Sequence, residues 1–453
     1  MRHPLLLRAL AIALIALAIL VPIQLIRGKV AERQALAEGV ARGFADETSG
    51  AQVVVGPFLA ITCEETYPEE RQVMRGGKAE TIREAKVRPC PTAYFTPRTF
   101  SASADVPVQS LHRGLYPIRS FRAATRLQGE IAWPGPPDAT PARLREWKHA
   151  YLVTFVRDSR GVKTIASAQS GSLLAGLGES GVDAFTMRED LGDWGERKPG
   201  TIIPFRYEGT LVGTGSFEIA PVGDVNEIRI ASNWPHPSFS RGWAPDERSV
   251  DAGGFSATWR INSVATGGNA AWQRLASEGK LANAHGAGAA IFDPVNVFSL
   301  SYRATEYAFL FVLFTFAALA ATEAVAGVRL HPIQYALVGC ALAVFFLLLI
   351  GLSEHIAFAR AYASAAAACI MLMTFYLRRP LASRARAAAF FLGFGAMYAT
   401  LYVMLQSEDS ALLMGSLLVF GLLATVMIAT RRMDWAAITR RMVPPATPAV
   451  AAV

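Results

Sequence analysis

The chain has 453 residues, of which 52% are hydrophobic and only 18% charged, with a formal net charge of +8 at pH 7. Ordinary soluble domains carry about 25% charged residues, so this balance excludes a purely soluble enzyme and points to a chain built partly for lipid. Nor does the positive charge point to nucleic acid: residues 28–303 hold 31 Lys and Arg against 30 Asp and Glu, and the excess sits in the apolar remainder.

The first segment, "LLLRALAIALIALAILVPIQLI", is long enough to cross a hydrocarbon core, which takes about 20 apolar residues. Ala16-Leu17-Ala18 has the small-residue spacing of a signal-peptidase site, but it lies inside the apolar run and not after it. Residues 1–27 therefore read as an uncleaved transmembrane anchor. In "KVAERQALAEGVARGFAD", which follows, Leu36, Val40 and Phe44 recur at i, i+4 spacing and predict a short amphipathic helix.

Beyond it the texture changes to strand-like alternation broken by turn signals: "AQVVVGPFLAI", "YPIRSFRAATRLQGEIAW", "AYLVTFVRDSRGVKTI", "GSFEIAPVGDVNEIRIAS" and "GFSATWRINSV". Residues 28–303 are expected to form a large, mainly antiparallel β domain of one or two lobes. "WPGPPDATPARLREW", from Trp133 to Trp147, is either a connection between lobes or a Pro-rich loop within one domain. Cys63 and Cys90 fall in this domain, and a bridge between them and two separate thiols are both open. The glycine-rich "GTLVGTGS" at 209–216 opens no helix that could hold a phosphate and is expected to be a turn. His236, with Trp234, Arg241 and Asp246 nearby, marks either a binding loop or a cap on a sheet end.

Five further apolar windows follow at 305–326, 333–351, 354–377, 387–405 and 411–430. They predict a five-helix transmembrane bundle over 304–435, with a tail over 436–453 that ends in the low-complexity "PPATPAVAAV". With the anchor, the chain is a multi-pass α-helical membrane protein of six transmembrane helices, its β domain inserted between the first and second. Arginines cluster at Arg2 and Arg8, at Arg329, at Arg378, Arg379, Arg384 and Arg386, and at Arg431, Arg432, Arg440 and Arg441. The connections "GLSE" and "QSEDS" carry none. By the positive-inside rule both termini lie in the cytoplasm and the β domain on the outer, periplasmic side.

No catalytic signature occurs: there is no G-x-S-x-G elbow, H-E-x-x-H, C-x-x-C or Walker-type phosphate loop. The chain is read as a non-enzyme with no cofactor and no metal site. Its candidate functional residues are polar groups at the bundle ends, Glu323, His331 and Gln334 on the inner side and Glu354, His355, Glu408 and Asp409 on the outer. His331 and His355 bracket one crossing, which puts them about 30 Å apart and rules out a shared metal or proton relay. Arg360 falls about 9 Å inside the fourth crossing if that helix begins at Glu354. It either snorkels to the headgroups or turns inward, pairs with Glu354 or Glu408 and lines a pocket.

"RLHPIQYALVG", "LLLIGLSEHIAFA" and "LYVMLQSEDSALLMGSLLVFGLLATVMIATRRMDW" together resemble the CreD family of bacterial cell-envelope integrity inner-membrane proteins. The resemblance extends outward through "VVVGPFL", "RGLYPIRSFRAATRLQGEI", "SNWPHPSF" and "GFSATWRIN". It implies an inner-membrane protein with one anchor, a large periplasmic domain and a C-terminal bundle, associated with envelope integrity and envelope-stress tolerance and without a defined molecular activity. The partners expected are the lipid bilayer and an envelope component or protein. The alternative is a lipid or small-molecule carrier using a bundle pocket lined by Arg360, Glu354 and His355.

Overall fold

The computed structural model describes residues 4–75, 78–135, 144–168, 175–176, 185–239, 242–291, 297–326, 330–381, 383–406 and 411–431. It divides into two compact units, Met1–Glu38 with Val295–Val453, and Gly39–Pro294.

The first helix, α1 (Pro4–Glu47), runs unbroken for 44 residues. The expected anchor and the amphipathic segment after it are thus one helix. Physically this follows from the Ala, Leu, Glu, Gln and Arg of "AERQALAEGVAR", all strong helix formers, against which Gly28, Gly39 and Gly43 cost about 1 kcal/mol each.

The β domain contains β1 (Gln52–Arg75), β2 (Lys78–Phe95), β3 (Thr99–Asp105), β4 (Val108–Arg113), β5 (Tyr116–Ala132), β6 (Leu144–Val156), β7 (Val162–Ser167) and β8 (Ala175–Gly176). It continues with β9 (Phe185–Asp193), β10 (Ile202–Thr214), β11 (Ser216–Ile219), β12 (Val225–Ser232), β13 (Pro237–Ser238), β14 (Glu247–Asp251), β15 (Gly254–Asn262) and β16 (Ala287–Ile291), with the helices α2 (Ser263–Thr266) and α3 (Gly268–Ser277) before β16. One sheet has the order β13-β16-β11-β1-β6-β9-β8 with β2 on β1, the other β14-β15-β12-β3-β5-β10-β7 with β4 on β5. The sheets are mixed: β1–β11 and β12–β3 are parallel, while the central β1–β6 and β3–β5 pairs are antiparallel.

Period-two burial is clean in β10, where Ile203, Phe205 and Tyr207 are buried between exposed neighbours. Inward residues of both sheets, among them Leu59, Phe155 and Phe217 from one and Phe100, Leu127 and Trp259 from the other, pool in a single core. The domain is therefore one two-sheet body and not two lobes. The Pro-rich stretch joins β5 of one sheet to β6 of the other, and its ends, Trp133 and Trp147, pack edge to face 5.5 Å apart. Its residues 136–143 lie outside the described ones. The run 209–216 is strand and not turn, except at Gly215, whose φ of 81° breaks β10 from β11. Cys63 and Cys90 are cross-strand partners on β1 and β2, with Cα atoms 5.4 Å apart, and are joined by a disulfide.

The unit of Met1–Glu38 with Val295–Val453 is a helical membrane body of α4 (Val297–Glu306), α5 (Ala308–Ala326), α6 (Pro332–Ser353), α7 (Phe358–Leu381), α8 (Arg384–Gln406) and α9 (Ala411–Thr430), together with the N-terminal part of α1. Among the described residues four helices are long and apolar enough to cross a membrane, and α4 with α5, bent by 43°, makes a fifth. The span expected at 305–326 is that bent pair. The uncharged α9 covers the window expected at 411–430.

Ile19 and Ile23 of α1 are buried in the bundle core with Phe316, Tyr335 and Val338. A lipid-surrounded anchor would leave them exposed, so α1 is a packed member of the bundle. Its contact with α6 runs through Gly339, where an added Cβ would stand 2.6 Å from Ile19 Cγ1 and 3.3 Å from Phe316 Cζ. Farther along, Tyr398 packs on Phe345 at 4.7 Å and Phe311 at 5.2 Å, and Tyr362 Oη donates to the Tyr398 carbonyl at 2.7 Å.

Candidate functional site

At the start of α6, His331 and Gln334 form a capping box. His331 Nδ1 accepts from the Ile333 N–H at 3.3 Å, and Gln334 Oε1 accepts from the His331 N–H at 2.9 Å. Pro332 at the first turn has no N–H to satisfy, which favours the same start. One turn on, the fully buried Tyr335 donates its hydroxyl to Glu323 Oε2 on α5 at 3.1 Å. Three of the expected residues thus cluster here, and each has a role in ending or joining helices.

The other end of α6 is organised by α1. Arg33 of α1 stands 3.5 Å from Glu354 Oε1, and Arg27 donates to Tyr302 Oη at 2.6 Å and to Glu306 Oε1 at 2.8 Å, both on α4. The Arg27 guanidinium also lies 4.6 Å from the Tyr302 ring centroid. His355 Nδ1 donates to the Gly351 carbonyl at 3.1 Å and so closes the last turn of α6. Arg360 is exposed on α7, and Glu354 finds its cation on α1 instead. Of the two readings of Arg360, the inward pair with Glu354 thus gives way to Arg33–Glu354. Glu408 and Asp409 lie outside the described residues.

Arg33→Leu is expected to lower the melting temperature of the detergent-purified protein, at a cost of up to about 1 kcal/mol for a partly exposed pair. Arg360→Leu should leave it unchanged. The reverse order of the two variants would contradict this pairing.

His236 belongs to a local cap: Trp234 Nε1 donates to its carbonyl at 3.0 Å, the two rings meet edge to face, and the Arg119 guanidinium lies 5.2 Å from the Trp234 ring centroid.

A feature with no signal in the apolar pattern is the arm made by β1 and β2. Among the described residues the β1–β6 ladder runs to Thr66↔Leu144, while β1 and β2 stay paired to Arg75↔Lys78. Beyond that point the described residues of the arm form a two-stranded ribbon, with residues 81–89 all exposed. Such ribbons are marginal alone in water. This one is held by the Cys63–Cys90 disulfide at its base and by charge pairs across it: Arg88 with the buried Glu65 at 3.2 Å, Arg83 with Glu70 at 3.0 Å, and Lys86 with Glu69. The hydrogen bond to Glu69 holds the Lys86 ammonium above its ordinary pKa. In the sequence the cysteine pair brackets "EETYPEERQVMRGGKAETIREAKVRP", and Gly76-Gly77 midway between them is a hairpin signal, so the two together could have marked the arm.

A family model described as "Inner membrane protein CreD" matches residues 4–436. Among curated proteins, "Inner membrane protein CreD" of Escherichia coli (strain K12) is 30% identical over 429 residues, which cover 92% of this chain and 91% of that protein.

Proposed function

The chain belongs to the CreD family of inner membrane proteins, and from that premise we propose that it supports envelope integrity and envelope-stress tolerance by binding an envelope component, not by catalysis. The chain crosses the inner membrane six times with both termini in the cytoplasm, and the β domain works in the periplasm. Two features support that placement: the alternation of arginine clusters with base-free connections, and a disulfide in the β domain, which suits an oxidising compartment.

The observation that carries the binding reading is the arm. A chain gains nothing in core burial from extending β1 and β2 past their sheet, so its exposed ribbon, stapled at the base, serves as a surface for a partner. The full-length protein in lipid nanodiscs tests this when it is offered peptidoglycan fragments, lipopolysaccharide and solubilised outer-membrane proteins in turn. Saturable retention of one of them, unaltered in mass and weakened when residues 68–85 are replaced by a short turn, is the expected result. Equal weak retention of all, or conversion of the retained material into a product, would refute it.

A further inference from the structure

Between α3 and the start of β6 the β domain holds a cleft of about 860 Å³, a size usual for small-molecule sites. On one wall is α3. Its Trp272 is buried and Leu275 and Ala276 pack on the core, so Ala270, Gln273, Arg274 and Ser277, at i, i+3, i+4 and i+7, share the other face and line the cleft. On the opposite wall, strand alternation puts Arg145 and Trp147 of β6 on one face, Trp147 across from Cys63.

The floor is aromatic and rigid. Behind Trp147 stands Trp133, itself packed on Phe95 at 5.1 Å and on Trp194 at 6.3 Å. The indole N–H of Trp147 is buried without an acceptor among the described residues. Gln273 Nε2 donates to the Tyr94 carbonyl at 2.8 Å, which fixes that side chain and leaves its Oε1 to accept.

Among the described residues the lining carries two guanidinium groups and no carboxylate. Glu65, which faces Arg145 across the ladder, is bound to Arg88 at 3.2 Å. Guanidinium forks match carboxylates and phosphates two bonds at a time, and an indole face beside them suits a flat ring.

We propose that this cleft binds an acidic sugar, with the ring against Trp147 and its carboxylate or phosphate held by Arg145 and Arg274. The proposal rests on the reading that the β domain meets envelope components and names the chemistry it would recognise there.

The test is a fluorescence titration of the full-length protein in nanodiscs with three probes. They are the N-acetylglucosaminyl-N-acetylmuramic acid disaccharide, a bis-phosphorylated N-acylated glucosamine disaccharide, and neutral N,N′-diacetylchitobiose, called chitobiose below. Saturable binding of an acidic probe, about tenfold or more tighter than chitobiose and weakened by salt, is expected. Arg145→Gln and Arg274→Gln should each weaken it by about tenfold or more. Both side chains are exposed, so the fold should hold, checked by an unchanged melting temperature and an intact Cys63–Cys90 bridge. Binding of the carboxylate probe alone points to a peptidoglycan source, and of the phosphate probe alone to a lipopolysaccharide source. Chitobiose binding as tightly, or the double Gln variant binding undiminished, overturns the proposal. If no probe binds while the nanodisc protein still retains an envelope component, the cleft assignment falls and the binding reading stands. If that retention fails too, both fall.

Discussion

Asn226→Ala is expected to destabilise the β domain by about 3 to 5 kcal/mol, more than any surface change. The side chain is 1% exposed, and its amide closes three bonds at 2.7 Å: Oδ1 accepts from the Gly223 N–H, while Nδ2 donates to the carbonyls of Gly223 and Ile261. It thereby folds the turn before β12 and ties it to the end of β15. Alanine leaves the buried N–H and carbonyl of Gly223 without this partner, each costing about 1 to 3 kcal/mol unless water reaches it, and takes one bond from the Ile261 carbonyl. Asn226→Asp should be little better, since it keeps the acceptor and loses both donors. Denaturant unfolding followed by tryptophan fluorescence measures the loss. A shift below about 1 kcal/mol would mean that the turn relaxes and that its bonds are not coupled to the sandwich.

Gly339→Leu should melt the membrane unit early, by the equivalent of about 3 kcal/mol, the upper part of the range for overpacking. The Gly339 site is already closed: even a Cβ stands 2.6 Å from Ile19 Cγ1, with Phe316 behind it at 3.3 Å. Gly339→Ala should cost less, because the Ile19 side chain can turn away, and Ile19→Ala should rescue it. Such compensation marks a direct contact between α1 and α6. If Gly339→Leu in detergent melts like the parent, α1 is not docked at this position.

These two sites divide what the residues announce from what they do not. The long apolar helices were legible because about 20 apolar residues in a row have few other uses, and four of them, or five with the bent α4–α5 pair, are long and apolar enough to cross a membrane among the described residues. The strands were legible where one face is buried and the pattern alternates, as in β5 and β12, but not in β10, whose second half reads as a turn. The His331–Gln334 pair was visible as polar, but its use as a capping box depends on where α6 begins. Illegible was everything set by distant partners. Arg27 meets Glu306 across 279 residues, and no local pattern says which of two nearby cations, Arg33 or Arg360, Glu354 will take. The arm escaped because its charges hide the period-two signal. The single-core packing of both sheets escaped because it depends on β1 lying parallel to β11 and β12 parallel to β3, long-range pairings with no sequence mark. The cleft between α3 and β6 escaped for the same reason: Trp147 and Arg274 meet only in the folded domain.

Binding of an envelope component requires the β domain to lie on the outer side of the membrane. A reporter active only outside the cytoplasm, fused in turn after residue 150, Leu381, Glu408 and Trp435, measures this directly. Activity after residue 150 and Glu408, with silence after Leu381 and Trp435, is the predicted result. Silence after residue 150, or activity after Leu381 beside its arginine cluster, would place the β domain or the crossings wrongly and contradict the account.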